Sequence, residues 1–339
     1  MKWLWRGLAL LIVVVAATFL VLRVPDTDPA TMRAKYGGPP SQFVELADGS
    51  TVHLRDEGPR DAPAIVLLHG SNADLHTWQS WAEDLRGDYR VIRFDQRGHG
   101  LTGSALDGDY AREAFVADVD RVTDALGLER FVLAGNSMGG GIAMAYALAH
   151  PERLAGLVLV DASGAPVERE GGGNIAFTLA QIPGVGALLS SILPRSLVEK
   201  SLRQSVSNEA VVTPEAVDRY WELARYPGNR AATAERFANR APDFTAEQIE
   251  QAAVPTLVMW GEEDALIPYA AAGWYREHLP NATLAAYPGI GHLPMEEAAG
   301  RSVADLRAWL ADRELAKPEP TAVARAVVDG TAPTFAGTR

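Results

Sequence analysis

Phe131-Val132-Leu133-Ala134-Gly135-Asn136-Ser137-Met138-Gly139, followed by the helix-forming stretch Ile142 to Ala149, reads as a strand, a sharp turn and a helix with a serine at the apex. A serine that attacks a carbonyl has to project from such a turn, whose backbone is strained, and only small neighbours fit beside it. Gly135 and Gly139 therefore have a steric reason to flank Ser137. The helix that starts at the serine turns free N–H groups and the positive end of its dipole toward any oxyanion formed there. Glycine and serine are common, so the pentapeptide needs partners from the rest of the chain.

An acid is the first partner. Thr256-Leu257-Val258-Met259-Trp260 is a short apolar run closed by Gly261-Glu262-Glu263-Asp264, which places Asp264 on a loop at a strand's carboxyl end, where α/β sheets keep their chemistry. Asp161, at the end of the run Leu157 to Val160, holds a comparable place and stays open as the alternative, whereas Glu262 and Glu263 read as solvated. Both aspartates satisfy the chain order serine, acid, histidine.

The base comes from Pro288-Gly289-Ile290-Gly291-His292, a glycine-rich loop after the short strand Ala282 to Tyr287. Of seven histidines, His53, His150 and His278 read as packed or surface imidazoles, while His292 lies on a loop returning to the catalytic end of the sheet. Ile65-Val66-Leu67-Leu68 runs into His69-Gly70-Ser71, and the Ser71 N–H, with that of Met138, would form an oxyanion hole. His69 reads as an orienting residue of that loop. His76 and Trp78 follow as candidates to line an acyl pocket, with core packing the alternative for Trp78.

With these motifs in register (HGSNADLHTW from His69, FDQRGHGLT from Phe94, GNSMGG from Gly135, GEEDALIP from Gly261, GIGHLPMEE from Gly289), the chain resembles the α/β-hydrolase superfamily from about Ser41 to Leu310. The resemblance implies a triad of Ser137, Asp264 and His292, an oxyanion hole from Ser71 and Met138, and neither metal nor organic cofactor. Serine at position 137 speaks against the haloalkane dehalogenases and epoxide hydrolases of this fold, which use aspartate. GNSMGG is similar to the elbow of carbon–carbon hydrolases acting on meta-cleavage products. Those enzymes, however, carry a glycine-richer oxyanion loop and a tryptophan after the histidine, where this chain has Leu293. The expected activity is a serine carboxylesterase acting on small or medium acyl esters. The alternatives are a carbon–carbon hydrolase and a non-catalytic binding protein of the same fold.

Alternating apolar strands and amphipathic helices predict a mainly parallel eight-stranded sheet covered on both faces, with strands starting near Phe43, Val52, Ala64, Arg90, Phe131, Leu157, Thr256 and Ala282. The expected organisation is a core at 41–164 and 252–311, interrupted by a helical lid at 165–251. In that lid, Ile175 to Leu179, Leu188-Leu189 and Ile192-Leu193 are candidates to cover an apolar cleft, and Gly171-Gly172-Gly173 a candidate hinge. Arg153, Arg225 and Arg230 are candidate partners for a substrate carboxylate, with solvated surface the alternative.

Net charge of −12 argues against nucleic acid, which needs a basic face. The absence of cysteine excludes disulfides, thiolate metal sites and a cysteine nucleophile. Leu8 to Leu22 carries no charge and, with Trp3 to Trp5, approaches the roughly 20 residues that cross a bilayer. Residues 1–24 are accordingly expected to be an uncleaved membrane anchor, with a cleaved signal peptide as the alternative and the catalytic domain on the exported side. Residues 25–40 read as a tether and 312–339 as a disordered tail.

Overall fold

The computed structural model describes residues 23–168 and 191–312, with part of the first 22. Its centre is one eight-stranded sheet in the order β1-β2-β4-β3-β5-β6-β7-β8. The strands are β1 (Ser41–Glu45), β2 (Thr51–Glu57), β3 (Ala64–Leu68), β4 (Arg90–Phe94), β5 (Phe131–Asn136), β6 (Leu154–Val160), β7 (Thr256–Gly261) and β8 (Ala282–Tyr287). β2 pairs antiparallel with β1 and β4, and every other pairing is parallel.

The central strands are apolar at nearly every position because both of their faces are buried. In β3 the alternation of side chains sends Val66 and Leu68 into one core and Ile65 and Leu67 into the other. The first core packs under α3 (Arg112–Ala125), α4 (Met138–Ala149) and α9 (Ala270–His278). The second packs under α2 (Gln79–Leu85) and α11 (Ala299–Asp312), where Trp78 and Trp81 are fully buried with ring centroids 5.0 Å apart. Two helices follow the His292 loop, α10 (Pro294–Glu297) and α11, because Ala298 between them leaves helical geometry with ψ at 41°.

Between β6 and β7 the described residues form only helices: α5 (Arg195–Ser205), α6 (Pro214–Ala224), α7 (Asn229–Ala238) and α8 (Ala246–Ile249), with a short 3-10 turn. The stretches Gly171 to Gly173, Ile175 to Leu179 and Leu188-Leu189 lie outside the described residues, as does the chain beyond 312. Where the sequence suggests a tether, α1 (Pro29–Tyr36) forms. Asp28 caps it by accepting the Thr31 N–H at 2.8 Å, and proline stands at its first turn. Tyr36 and Lys35 both donate to Glu222 of α6 at 2.7 Å, which fastens this segment to the helical insert.

The membrane expectation is corrected. Among the described residues no helix is long and apolar enough to cross a membrane. A span takes about 20 apolar residues in one helix, and α3 and α11, the longest of the helices named above, have 14 residues each with an exposed polar side. Attachment through an N-terminal spanning helix, and the exported placement inferred from it, are therefore not supported.

Candidate functional site

The residues singled out by the sequence emerge from the carboxyl ends of five neighbouring strands. Ser71 follows β3, Ser137 follows β5, Asp161 follows β6, Asp264 follows β7 and His292 follows β8. β3 lies between β4 and β5, so the chain leaves it toward one edge and later continues toward the other. Such a reversal opens a crevice at the strand ends, where α/β sheets bind ligands.

Ser137 has φ 53° and ψ −116°, a conformation that costs a non-glycine residue strain and persists only where its surroundings hold it. The hold is visible on three sides. Its N–H donates to the Val160 carbonyl at 3.0 Å, and its own carbonyl accepts from Gly141 at 3.1 Å and Ser163 at 2.9 Å. A Cβ at Gly135 would lie 2.2 Å from the Gly139 carbonyl oxygen, and one at Gly139 would lie 2.3 Å from that of Leu68. The turn closes only because both are glycine. A Cβ at Gly70 would stand 3.2 Å from the Ser137 Cβ, which measures how closely the β3 loop approaches the serine. The backbone N–H groups of Ser71 and Met138 donate to no described residue, and α4 begins at Met138 with its dipole directed at the turn.

His292 and Asp264 meet through Nδ1 and Oδ2 at 2.6 Å, and both side chains are buried. Asp264 is oriented by its other oxygen, which accepts the N–H groups of Leu266 at 2.7 Å and Ile267 at 3.0 Å. His292 donates its backbone N–H to the Ser205 carbonyl of α5 at 2.8 Å, and its carbonyl accepts Asn136 Nδ2 at 3.1 Å. The residue beside the serine thus holds the histidine loop. Neither the Ser137 hydroxyl nor His292 Nε2 bonds to a described residue.

Asp161 stands behind this pair. It is fully buried at φ 45°, Oδ1 accepts the Gly261 N–H at 3.0 Å, and Oδ2 has no partner among the described residues. Burial, and then the charge of Asp264, push its carboxyl well above the ordinary range. One oxygen or nitrogen from each of Asp161, Asp264 and His292 lies within 4.8 Å of the others, a spacing that a metal ion could use. Hydrogen bonding already commits two of its members: His292 Nδ1 is bound to Asp264, and Asp264 to two backbone amides.

The remaining candidates fall away from the serine. His69 is fully buried, with Nδ1 directed to the Gly70 carbonyl at 2.8 Å and Nε2 accepting from the Gln96 N–H at 3.1 Å. Burial lowers its pKa, so it orients the β3 loop as a neutral imidazole. Trp78 belongs to the core, and His76 is bound to Asp74 at 2.7 Å. Arg153 is occupied by Asp124 and the Leu128 carbonyl, Arg225 stacks 3.6 Å over the Trp221 ring, and Arg230 pairs with Asp26. None of the three reaches the serine loop.

Two residues that matter were not evident from the sequence. Arg236 donates to Ser71 Oγ, and Glu297 accepts the N–H groups on both sides of His292. Glu297 was hidden in the acidic pair Glu296-Glu297, and Arg236 in a polar helix, where charged residues are ordinarily solvated.

A family model described as "alpha/beta hydrolase fold" matches residues 63–299. A 2-hydroxymuconate semialdehyde hydrolase of Pseudomonas putida is 29% identical over 79% of this chain and 94% of its own. A non-heme chloroperoxidase of Streptomyces lividans is 30% identical over 74% and 92% respectively. Among solved structures, a thermophilic esterase from Thermogutta terrifontis is 27% identical, with a TM-score of 0.67, covering 82% of this chain and 99% of that one. The switch in strand order, the strained serine turn and the extent of these matches lead to one conclusion: the chain belongs to the α/β-hydrolase fold family.

Proposed function

We propose that this hydrolase-family protein cleaves carboxylic esters of small or medium acyl groups through an acyl-enzyme on Ser137. The observation that carries the reading is the strained serine turn beside the His292–Asp264 pair. Ser137 Oγ attacks the ester carbonyl while His292 Nε2 takes its proton. The carbonyl π pair moves onto oxygen, where the Ser71 and Met138 N–H groups receive it. Collapse expels the alcohol with the proton from His292, and water then repeats the sequence on the acyl-enzyme. Asp264 holds the imidazole with Nδ1 protonated. In this reading residues 165–251 cover the crevice and select the substrate.

Ser137→Ala is expected to lower kcat on p-nitrophenyl butyrate by about four to six orders of magnitude with the fold intact. Near wild-type turnover by that variant would overturn the proposal. A fluorophosphonate should label the wild type and spare the variant; an unlabelled wild type would favour a non-catalytic binding protein.

The likeness to the 2-hydroxymuconate semialdehyde hydrolase supports a second reading, hydrolysis of a carbon–carbon bond at the same serine. Turnover of a vinylogous 1,5-diketone beside a chain-length panel of esters separates the two: the higher kcat/KM names the reaction.

A further inference from the structure

Arg236 of α7 brings its guanidinium against both residues of the candidate oxyanion hole. Nη1 donates to Ser71 Oγ at 2.8 Å and lies 3.1 Å from Met138 Sδ, while Nη2 donates to Asn72 Oδ1 at 3.2 Å and Thr233 Oγ1 at 3.0 Å. The residue is only 7% exposed, and among the described residues Nε has no partner. Every acceptor it meets is neutral. Among the described residues no carboxylate lies within ion-pair distance of it, whereas the buried Arg93 and Arg97 and the half-buried Arg219 each face one, from Glu57, Asp118 and Asp74.

Tyr110 is near enough to favour the charged form slightly, and Asp95 and Asp74 act on the adjacent His69, but among the described residues neither of these carboxylates pairs with Arg236. His69 and His99 lie close enough for Arg236 to depress both imidazoles further, after burial has already done so, and both are neutral at pH 7. Burial pushes Arg236 itself down to about 10, which still leaves it charged at neutral pH. A buried charge without a counter-ion costs the fold stability, and departures of this kind are expected at functional sites. The reacting carbonyl supplies a use for the charge. It is uncharged as substrate binds and gains a full negative charge when the Ser137 Oγ–C bond forms and the π pair moves onto oxygen.

We propose that Arg236 is a positioning residue for the oxyanion site, fixing Ser71 through its hydroxyl and holding an uncompensated positive charge beside the oxygen that becomes negative. The inference rests on the reading of Ser137 as nucleophile. Because the charge favours the tetrahedral species over the neutral ester, it acts on kcat and leaves KM nearly alone.

The test compares Arg236→Met, which keeps bulk and loses charge, with Arg236→Lys, which keeps charge. The readouts are kcat and KM on p-nitrophenyl butyrate and inhibition by a trifluoromethyl ketone, whose adduct with the serine carries the oxyanion. Expected for R236M are a fall in kcat of roughly 30- to 300-fold, a matching weakening of inhibition and a KM within about threefold of wild type. R236K should stay within about tenfold of wild type in kcat. Wild-type kcat and inhibition in R236M would overturn the inference, as would a change confined to KM or equal losses in both variants. If R236M gives no cooperative melt, Ser71→Ala decides, since it keeps the backbone N–H and removes the acceptor of Nη1. A kcat lowered about tenfold at steady KM supports the proposal, and wild-type kinetics refute it. Turnover by S137A would instead sink the nucleophile reading. An inactive S137A beside a wild-type-like R236M sinks only the role of Arg236.

Discussion

Glu297 accepts the backbone N–H of Gly291 at 3.1 Å, one residue before His292, and the same carboxylate accepts that of Leu293 at 3.2 Å, one residue after it. Its second oxygen takes the N–H groups of Ser207 at 2.8 Å and Asn208 at 2.9 Å, just past α5. One buried carboxylate therefore clamps the histidine loop to the helical insert.

Glu297→Ala leaves these amides without their acceptor. Each unmet buried donor costs about 1–3 kcal/mol, with partial relief by relaxation, so the variant should lose roughly 3 kcal/mol of unfolding free energy in urea. Its kcat, measured where the protein is still folded, should fall about tenfold because the imidazole is less well held. A loss below about 1 kcal/mol with unchanged kcat would mean that the loop holds itself.

Gly139→Ala places a methyl group 2.3 Å from one backbone carbonyl oxygen and 2.6 Å from the next, and neither can swing aside. It should destabilise the fold by more than about 3 kcal/mol, among the largest single effects expected here. Gly273→Ala on α9 meets nothing within 4 Å, and helix propensity then favours alanine by up to about 1 kcal/mol. Thermal melts of the two variants should move in opposite directions.

These contacts mark the limit of what the sequence discloses. β3, β5 and β7 start where their apolar runs begin, because a strand buried on both faces carries its signal in every residue. β6 starts three residues earlier than expected, at Leu154, since Ala155 and Gly156 break its apolar run. Ser137, Asp264 and His292 were recognisable because each ends a strand or follows one in a glycine-marked loop. Arg236 and Glu297 were not, because Arg236 meets Ser71, 165 residues away, and Glu297 meets Ser207, 90 residues away, and no local pattern records such contacts. The apolar N-terminal run illustrates the opposite error, in which composition alone suggested a span that no described helix supports.

Asp161 and Asp264 are separable by pH and by activity. The folded protein keeps a proton on Asp161 above the pH near 4 at which the unfolded chain releases it, so folding takes up a proton there. This contribution lowers stability as pH rises from about 4 toward the elevated folded-state value. Asp161→Asn removes the titration, and its melting temperature relative to wild type should be more favourable at pH 8 than at pH 5. A difference that does not change with pH would show that Asp161 ionises normally. In kinetics, Asp264→Asn should cost about four orders of magnitude in kcat and Asp161→Asn less than tenfold; the opposite ranking would transfer the role of acid to Asp161.

Arg219 of α6 ties the helical insert to the loop after Ser71 by a different route. Its Nε lies 3.2 Å from Asp74 Oδ2 on the loop that follows Ser71, and its charge also acts on Glu296 of α10. Burial alone would push the Asp74 carboxyl up, but Arg219 and the hydrogen bond from His76 outweigh it and hold the carboxyl below its usual range. Removing one member of a buried pair leaves the other uncompensated, so Arg219→Met should cost about 3–5 kcal/mol. Asp74→Asn made in the same protein should return a large part of that loss, because the charge left behind is then gone. A double-mutant cycle by urea unfolding measures this as a coupling of at least about 2 kcal/mol. Strictly additive losses would mean that the two side chains stabilise the fold independently.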